Sequence, residues 1–410
     1  MPDRSHRGRV IPGTPRLLIV GASLAGLRAV EAARKSGFAG AITLIGAESE
    51  LPYDRPPLTK ERLKLDGRQP SKPLKSAEGL AELDVELRLG QSAASLDIDS
   101  RTVTLDSDEV LSYDALVIAT GVRPRLLDGV DVTHPRIHAI RTLDSADALR
   151  ESLAENQPVL IVGAGFIGSE VASAAVASGR SVTIIEAAQH PLSHVVGIQA
   201  GAALMDLHRR RGVTLRCGRT LDSVSPFDDH IEVRVGEKVM SAGCLVVAVG
   251  TVPNTEWLAG SGVPVDNGVL CEPDLSVESG VSAAGDVASW VDPRWGVRRR
   301  VEHRTNAAEQ GKHAAATALD PDGTTPFSSI PYVWTEWYGV KIQVIGQTDA
   351  DEELLVGDVE GESFVALYRK GAQLRGALTV GRPAATQKFR KLLTDRASWD
   401  EAVTLAQELG

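Results

Sequence analysis

Two segments of the chain share one pattern of apolar and polar positions. Each begins with an apolar run, Leu17–Val20 in one and Val159–Val162 in the other, and passes through a glycine-containing turn into residues with helical spacing. A short apolar run predicts a buried strand, and apolar residues three or four apart predict an amphipathic helix. We therefore expect two strand–turn–helix units, with buried helix positions Leu24, Leu27, Val30 and Ala33 in the first and Ile167, Val171, Ala174 and Ala175 in the second.

The turn of each unit matches the fingerprint of a dinucleotide site. The small residues are Gly21, Ser23 and Gly26 in the first unit and Gly163, Gly165 and Gly168 in the second. The first glycine permits a tight turn, the second lets the backbone approach a pyrophosphate, and the third lets the helix pack on the strand. The helix N-terminus then offers N–H groups and partial positive charge to the phosphates. The first unit departs from the pattern because Ser23 replaces the middle glycine.

A second apolar run and an acidic residue complete each unit. The runs are Ile42–Ile45 and Val182–Ile185, and the acids are Glu48 and Glu186. An acid at this place accepts hydrogen bonds from ribose hydroxyls. A single glycine fingerprint is weak evidence, but two in full context predict two bound dinucleotides. Electron transfer between a nicotinamide and a flavin is the obvious reason to hold both.

The rest of the chain carries further strand and helix signals. Strands that run into glycine turns are predicted at 113–121 and 245–250, and a short strand that ends in an acid is predicted at 281–286. Near the C-terminus, two apolar runs around residues 370–372 predict a hairpin. The sequence from Ser398 to Glu401 is typical of a capping box that opens a last helix.

Composition and charge exclude several classes of protein. A length of 410 residues predicts two to four domains, and 43% hydrophobic with 24% charged residues is typical of a globular α/β chain. No apolar stretch is long enough to span a membrane. The net charge of −10 argues against nucleic-acid binding. The first sixteen residues contain four arginines without an apolar core, so we expect a disordered tail over 1–13, no secretory signal and a cytoplasmic protein.

Four short motifs resemble those of the bacterial ferredoxin reductases that serve oxygenases, the type that includes putidaredoxin reductase. They are Pro52-Tyr53-Asp54-Arg55-Pro56-Pro57-Leu58-Thr59-Lys60, Ala119-Thr120-Gly121, Gly285-Asp286 and Pro331-Tyr332-Val333-Trp334. The resemblance implies an α/β fold similar to glutathione reductase, with two Rossmann-type domains and a C-terminal α+β domain. It implies an FAD domain in two parts, 14–124 and 252–325, an NAD domain at 125–251 and a C-terminal domain at 326–410.

The resemblance also implies which residues bind the two cofactors, FAD and NADH. In the first unit and the segments that resemble its surroundings they are Gly21, Ser23, Leu24, Ala25, Gly26, Glu48, Arg55, Lys60, Ala119, Thr120, Gly121, Arg123, Gly285, Asp286 and Trp334. In the second unit they are Gly163, Gly165, Phe166, Ile167, Gly168, Glu186 and Gly250. The alternative for Asp286 is an ordinary turn or N-cap aspartate.

Lys60 and Glu170 are the predicted catalytic residues. In the related reductases the counterparts of these residues form a pair that faces the flavin, where the lysine can stabilise the anionic reduced ring and the glutamate can position the nicotinamide. Alternatively, Glu170 is a first-turn glutamate favoured by the helix dipole. No arginine follows Glu186 within the next three residues, and a glutamate there repels a 2′-phosphate, so we expect NADH rather than NADPH as the donor.

The cysteine positions bear on the electron acceptor. The only cysteines are Cys217, Cys244 and Cys271, which we interpret as small buried hydrophobic residues. Disulfide reductases of this fold carry a reactive cysteine soon after the first fingerprint, and this chain has none there. The resemblance therefore implies direct reduction of a two-iron two-sulfur ferredoxin. The alternatives are a rubredoxin reductase, an NADH oxidase, or an NADH-sensing binding protein that resembles apoptosis-inducing factor.

Two local clusters are candidates for a ferredoxin-facing surface. Five aromatic residues fall between Phe327 and Tyr338, and the resemblance places Trp334 beside the flavin, although part of this cluster is expected to be core. A run of arginines in an otherwise acidic chain predicts either a solvated face or a landing site for an acidic partner. The run comprises Arg294, Arg298, Arg299, Arg300 and Arg304.

Overall fold

The computed structural model describes residues 14–66 and 71–409, so the predicted tail over 1–13 lies outside the described residues. By internal contact the chain divides into two compact units. The first comprises Met1–Asp54, Ser71–Arg123 and Val252–Ser329. The second comprises Arg55–Pro70, Pro124–Thr251 and Ile330–Gly410.

The helices, in chain order, are α1 (Leu24–Lys35), α2 (Ala77–Ala81), α3 (Leu143–Ala154), α4 (Phe166–Ala177), α5 (Ser193–Val196), α6 (Ile198–Arg210), α7 (Arg304–Leu319), α8 (Pro383–Thr394) and α9 (Trp399–Leu409).

The strands are β1 (Arg16–Val20), β2 (Ala41–Gly46), β3 (Val85–Leu89), β4 (Ala93–Asp97), β5 (Thr102–Leu105), β6 (Val110–Ser112), β7 (Ala115–Ile118), β8 (Val122–Pro124), β9 (Ile137–His138), β10 (Val159–Val162), β11 (Val182–Glu186), β12 (Thr214–Cys217), β13 (Ser223–Pro226), β14 (Ile231–Val235), β15 (Lys238–Ala242), β16 (Cys244–Val247), β17 (Thr251–Pro253), β18 (Val265–Asp266), β19 (Gly268–Cys271), β20 (Ser276–Glu278), β21 (Val281–Ala283), β22 (Ala288–Asp292), β23 (Val297–Arg300), β24 (Tyr332–Trp337), β25 (Val340–Gly346), β26 (Glu352–Asp358), β27 (Ser363–Lys370) and β28 (Gln373–Val380).

The first unit is built around a six-stranded sheet in the order β20-β21-β7-β1-β2-β3. All its strands except the edge strand β20 pair in parallel, and the residues of β1 and β7 are almost entirely buried. Strands covered on both faces read as continuous apolar runs, which is why 17–20 and 115–118 carry no polar residue. Helices α1 and α7 pack closely because Gly311 has no side chain: a Cβ there would lie 2.2 Å from the carbonyl oxygen of Ala25.

The second unit contains a parallel sheet, a small antiparallel sheet and a C-terminal antiparallel sheet. The parallel sheet has the order β12-β11-β10-β16-β9, and the C-terminal sheet has the order β24-β25-β28-β27-β26. Helices α8 and α9 contribute Phe389, Leu393 and Ala402 to a buried cluster with the C-terminal sheet. The predicted hairpin is confirmed as β27–β28. The predicted capping box is confirmed too, since Ser398 and Glu401 exchange side-chain hydrogen bonds with each other's backbone N–H.

Both predicted strand–turn–helix units form, but two of the predicted buried positions, Ile167 and Ala174, are not buried, and Ala174 is partly covered. The strands β1 and β10 lead into α1 and α4, as expected, and Leu27, Val30 and Val171 are fully buried. Ile167, predicted to face the core, is 39% exposed. It stands in the first turn of α4, next to Gly165, around which the space is open.

Residues 55–66 join the second unit through polar contacts. Arg62 makes a two-pronged ion pair with Asp147 of α3, with both N–O distances at 2.6 Å. Arg55 donates a hydrogen bond to the carbonyl oxygen of Arg141. Paired donors and acceptors of this kind fix a segment that contains no regular helix or strand beyond two short 3₁₀ turns, Pro56–Thr59 and Glu61–Leu63. Within the described ranges, no helix is both long enough and apolar enough to cross a membrane.

Candidate functional site

The first fingerprint turn has the tight geometry that its glycines predict. Gly21 adopts a φ of +124°, and a Cβ there would lie 2.0 Å from the carbonyl oxygen of Ala119. A Cβ on Gly26 would lie 2.0 Å from the carbonyl oxygen of Gly21. Ser23 is the N-cap of α1, but its side chain makes no capping hydrogen bond within the described structure. The start of α1 therefore keeps backbone N–H groups for a ligand.

The other predicted residues of the first unit lie at the same sheet edge. Glu48 follows β2, the segment Ala119–Gly121 follows β7, and Gly285 follows β21, all at carboxyl ends of parallel strands. Gly285 lies close to α1, since a Cβ there would be 3.1 Å from the Cβ of Ala25. Ligands of open parallel sheets bind at this edge, next to the point where the strand order reverses, here between β1 and β7.

Hydrogen bonds hold the loops of this edge in place. Thr120 and Asn254 exchange two bonds of 2.8 and 2.9 Å. Gly285 donates its N–H over 2.9 Å to the side chain of Gln310, which is fully buried in α7. Arg123 forms an exposed ion pair with Glu256 at 2.5 Å. Asp286 follows at the start of a 3₁₀ turn and is partly exposed, a position from which a carboxylate can accept bonds from a sugar chain.

The second fingerprint repeats the geometry of the first in the other unit. Gly163 has a φ of +98°, and a Cβ there would lie 2.3 Å from the carbonyl oxygen of Ala248. A Cβ on Gly168 would lie 2.0 Å from the carbonyl oxygen of Gly163. In contrast, the space around Gly165 is open, and Phe166 and Ile167 of the first helical turn are only partly covered. Gly250, at the end of the loop after β16, also faces open space.

The carboxylate of Glu186 is hydrogen-bonded to the backbone of the second fingerprint turn and of the loop that follows β11. It accepts the N–H of Ala164 over 2.6 Å and the N–H of Ala188 over 2.8 Å. Each carboxylate oxygen has a second lone-pair direction, so the group can still accept ribose hydroxyls. The backbone bonds orient the carboxylate in advance, and this lowers the entropy that a ligand must lose.

Lys60 and Glu170 form an ion pair within the second unit. The Nζ of Lys60 donates to Oε1 of Glu170, while the hydroxyl of Thr59 donates to Oε2 and that of Thr335 donates to Oε1 over 2.5 Å. Glu170 is 7% exposed and Thr335 is 2% exposed. Burial of a carboxylate is costly unless it is paired and hydrogen-bonded, and these three donors meet that requirement. Glu170 lies beyond the first turn of α4, so the explanation by helix dipole alone is wrong.

Strand β24 explains why the sequence pointed to Trp334 and not to Thr335. Successive side chains of a strand point to opposite faces. Thr335 and Trp337 are buried, whereas Trp334 is 37% exposed and its ring stacks on that of Tyr332 at 5.6 Å. Thr59 and Thr335 each stand next to a residue predicted for the site, and the alternation of β24 was the signal that could have identified Thr335.

A buried histidine network, also missed in the sequence, lies beside the pair. His208 of α6 contacts the hydroxyl of Tyr338 at 2.7 Å and that of Ser169 at 3.0 Å, and its ring stacks on Trp337 with a centroid distance of 5.1 Å. Burial lowers the pKa of His208 to about 4, so the ring is neutral at neutral pH. Because Ser169 precedes Glu170, this network fixes the turn of α4 that carries the carboxylate.

The cysteines have no features of a reactive thiol relay. Cys244 and Cys271 are buried, and burial raises the pKa of each to about 12. Cys217 is only half-buried, which corrects the expectation for this residue, and its pKa is also raised, by burial first and by Glu186 second. A thiol with a raised pKa is a poor nucleophile near neutral pH.

The arginine run is neither a simple solvated face nor a set of free charges. Arg299 pairs with Asp292, a carboxylate with no exposed side-chain surface, at 3.2 Å. Arg300 pairs with Glu302 at 2.6 Å, and Arg304 pairs with Asp54 at 2.7 Å. Arg298 donates instead to the carbonyl oxygens of Cys271 and Ser289, and Arg294 lies over the ring of Trp295. Three of the five arginines are therefore neutralised by carboxylates of the first unit.

The residues present fit the two cofactors that the sequence predicts. Both turns have the strained glycines and the open helix N-termini that a pyrophosphate requires, and both have an acid at the end of the second strand. Each fingerprint lies in a different unit, and each unit supplies its own cradle.

Comparisons with known proteins agree with this arrangement. The sequence matches the pyridine nucleotide-disulphide oxidoreductase family over residues 15–311 and the reductase C-terminal family over residues 332–408. The rhodocoxin reductase of Rhodococcus erythropolis is 33% identical over 382 residues, which cover 92% of this chain and 89% of the relative.

A second relative and a solved structure extend the comparison. The ferredoxin–NAD(+) reductase component of the p-cumate 2,3-dioxygenase system of Pseudomonas putida is 33% identical, over 94% of each chain. The structure of a covalent putidaredoxin reductase–putidaredoxin complex matches with a TM-score of 0.87 and 27% identity over 93% of each chain. The predicted fold class is confirmed, and the chain belongs to the pyridine nucleotide-disulphide oxidoreductase family.

Proposed function

We propose that this protein is an FAD-containing reductase that passes electrons from NADH to a small ferredoxin, which in turn serves an oxygenase. The observation that carries the proposal is the Lys60–Glu170 pair on the helix of a complete second fingerprint. Family membership supports it, and so do the names of the relatives, a rhodocoxin reductase and the ferredoxin–NAD(+) reductase component of a dioxygenase system. The proposed donor is a cytoplasmic cofactor, and we place the protein in the cytoplasm.

The two fingerprints divide the binding of cofactors between them. In the first unit, the turn Gly21–Gly26 and the start of α1 would hold the FAD pyrophosphate, with Glu48 on the adenosine ribose and Asp286 on the ribityl chain. In the second unit, Gly163–Gly168 and Glu186 would hold NADH in the same way. A bound flavin would supply acceptance of a hydride and release of single electrons, chemistry that the side chains of the protein lack.

Lys60 and Glu170 would act during the hydride step. The ammonium group would balance negative charge that develops on the cofactors as they are reduced. Glu170 has both oxygens occupied by Lys60, Thr59 and Thr335, so its position is fixed before the donor arrives. We propose that Glu170 orients the nicotinamide and that Lys60 supplies the charge.

The electron acceptor follows from the absence of a suitable thiol. The sequence has no cysteine before Cys217, and the three cysteines have raised pKa values. We therefore propose that no thiol relays the electrons and that the acceptor is a one-electron carrier, a two-iron two-sulfur ferredoxin. Within the arginine run, Arg298 is the best candidate for contact with an acidic partner. It is exposed, and its guanidinium donates to two carbonyl oxygens and forms no ion pair among the residues that the structure describes.

A coupled assay tests the proposed function. The purified holoenzyme with bound FAD is mixed with NADH and cytochrome c, with and without a two-iron two-sulfur ferredoxin. We expect the ferredoxin to stimulate cytochrome c reduction at least tenfold. An unstimulated rate, together with rapid oxygen consumption, would instead identify an NADH oxidase, and stimulation by a rubredoxin alone would identify a rubredoxin reductase.

A further inference from the structure

Lys60 lies in a segment that regular secondary structure does not hold in place. The segment 55–66 contains two 3₁₀ turns, Pro56–Thr59 and Glu61–Leu63, and the backbone of Lys60, with φ −127° and ψ −97°, links them. A lysine side chain is a flexible four-carbon stem, so its ammonium group lies where the backbone and its partners place it. Because Thr59 and Lys60 both bind Glu170, the backbone at 59–60 has to keep one conformation for the two bonds to form together.

An ion pair of the second turn holds this backbone. Arg62 donates from Nε to one oxygen of Asp147 and from a terminal nitrogen to the other, both over 2.6 Å. The arginine side chain is 8% exposed and the aspartate side chain is 18% exposed. A two-pronged pair between a planar guanidinium and a carboxylate fixes direction as well as distance, and a pair buried to this extent is little screened by salt. The chain is therefore fixed two residues away from Lys60.

Other contacts attach the same segment to α3 and to the residues just before it. On one side of Lys60, Arg150 of α3 donates over 2.9 Å to the carbonyl oxygen of Lys64. On the other side, Arg55 donates to the carbonyl oxygen of Arg141, two residues before α3 begins. These contacts lie on both sides of the lysine, whereas its carboxylate partner belongs to α4. The lysine is therefore held between two helices of the second unit.

We propose that Arg62 and Asp147 are positioning residues for the hydride step, and that they act by holding Lys60 against Glu170. The pair acts through the backbone: without it, the ammonium group spends less time on the carboxylate, and the positive charge is out of place when it is needed. Electrostatic stabilisation depends on a charge that is already in position, because such a charge needs no reorganisation at the moment of reaction. The inference rests on the proposed function, since it deepens the role that Lys60 has there.

Replacement of both members of the pair separates position from stability. Apolar residues of similar size in place of a buried ion pair are often neutral for stability, whereas removal of one partner is costly. The test variant of the holoenzyme is Arg62→Met/Asp147→Leu. The matched control is Arg136→Met/Glu155→Leu, which removes a 2.7 Å ion pair at the C-terminal end of α3. We expect the test variant to melt near the parent temperature but to show flavin reduction by NADH at least fivefold slower in stopped flow, and the control to match the parent rate.

The Lys60→Met background shows whether the pair acts through the lysine. If it does, the addition of Arg62→Met/Asp147→Leu to Lys60→Met changes the rate less than twofold, because the group that the pair positions is already gone. A pair that only stabilises the fold slows both backgrounds by the same factor. Asp147→Glu, which retains the charge, should keep at least half of the parent rate. Asp147→Asn, which preserves the shape of the side chain, carries the same comparison if the double variant does not fold.

Hydrogen exchange of the holoenzyme supplies a readout that does not depend on turnover. Amides of residues 57–64 should exchange at least fivefold faster in the test variant than in the parent and the control, while those of α4 remain unchanged. The inference is overturned by unchanged exchange at 57–64, by a parent-like rate of flavin reduction in the folded test variant, or by equal slowing in both backgrounds. None of these results alters the stimulation of the parent by ferredoxin, which tests the proposed function, so the two failures are distinguishable.

Discussion

Thr335 donates a hydrogen bond to Oε1 of Glu170 across 165 positions of sequence. Thr335→Val keeps the shape of the side chain but removes the donor and leaves a buried carboxylate with one fewer partner. Loss of a hydrogen bond to a buried charged group costs about 1.5–3 kcal/mol. We expect lower thermal stability and a severalfold slower reduction of the flavin by NADH, measured by stopped-flow absorbance without oxygen. Thr335→Ser, which retains the hydroxyl, should restore the rate, and failure to do so would point to packing alone.

Lys60→Met should slow flavin reduction by about tenfold or more, equivalent to a loss of at least about 1.4 kcal/mol of transition-state stabilisation. The reason is that the ammonium group both compensates Glu170 and balances charge on the reduced cofactor. The measurement is the rate at which flavin absorbance falls on mixing with NADH. Lys64→Met removes an exposed lysine from the same segment and should leave this rate unchanged. A normal rate in folded Lys60→Met would contradict the role of the pair.

Glu186→Gln should raise the KM for NADH about tenfold and change kcat little. The carboxylate binds ribose hydroxyls equally in the ground state and the transition state, so its loss affects uniform binding. Because Glu186 also accepts the N–H groups of Ala164 and Ala188, the turn should loosen and part of the effect will be structural. Steady-state kinetics with varied NADH give the values. Glu151→Gln, on the exposed side of α3, is the control and should behave as the parent.

Charge reversal should separate docking from stability within the arginine run. Arg298→Glu should raise the KM for ferredoxin severalfold, more at low salt, while ferricyanide reduction stays intact. Arg299→Glu should instead lower the melting temperature, because it leaves Asp292 buried and unpaired, at a cost of about 3–5 kcal/mol. If Arg298→Glu left the ferredoxin KM and its salt dependence unchanged, the proposed docking role of Arg298 would be wrong.

The stability of the protein should depend on pH through His208. Burial lowers the pKa of this residue from 6.5 to about 4 in the folded protein, so the unfolded chain takes up a proton first as the pH falls. The stability that the neutral ring contributes is fully present above pH 6.5 and is lost as the pH falls toward 4. At pH 5.5 this one residue has lowered the free energy of unfolding by about 1.4 kcal/mol. His208→Gln should be less stable at pH 7.5 but show a flatter decline, as measured by urea unfolding at several pH values. His194→Gln, at an exposed position, should decline with the same slope as the parent.

The parts of the fold and site that could be predicted are those encoded over short stretches of sequence. A strand, a glycine turn and a helix are specified within about twenty residues, so the two fingerprints, Glu186 and the Ser398 capping box followed from local spacing. The pairing of Lys60 with Glu170 came from family resemblance, since 110 residues separate them. The alternation of β24 separates Thr335 from Trp334, but the partners that Thr335 and His208 bond lie far away in sequence, and local patterns do not identify them.

The arginines show a second limit of local patterns. Five nearby cations indicated a positive surface, but Asp54 lies 250 positions from its partner Arg304. Asp292 is only seven positions from Arg299, and the pairing of β22 with β23 makes them partners. In contrast, Arg216 and Arg219 lie apart from that run, and only the pairing of β12 with β11 places them near Glu186. The strand order must be known before one can tell which arginines are neutralised by a carboxylate and which lie together.

The arrangement around Glu170 also has a consequence for synthesis on the ribosome. The carboxylate receives bonds from residues 59 and 60, which emerge before it, and from Thr335, which emerges 165 residues after it. At about 5–20 residues per second, the last donor follows Glu170 by roughly ten to thirty seconds. During that interval the nascent chain has both glycine turns but an incomplete set of partners for its central carboxylate. Competence for hydride transfer therefore arrives late in translation, after both dinucleotide cradles have been made.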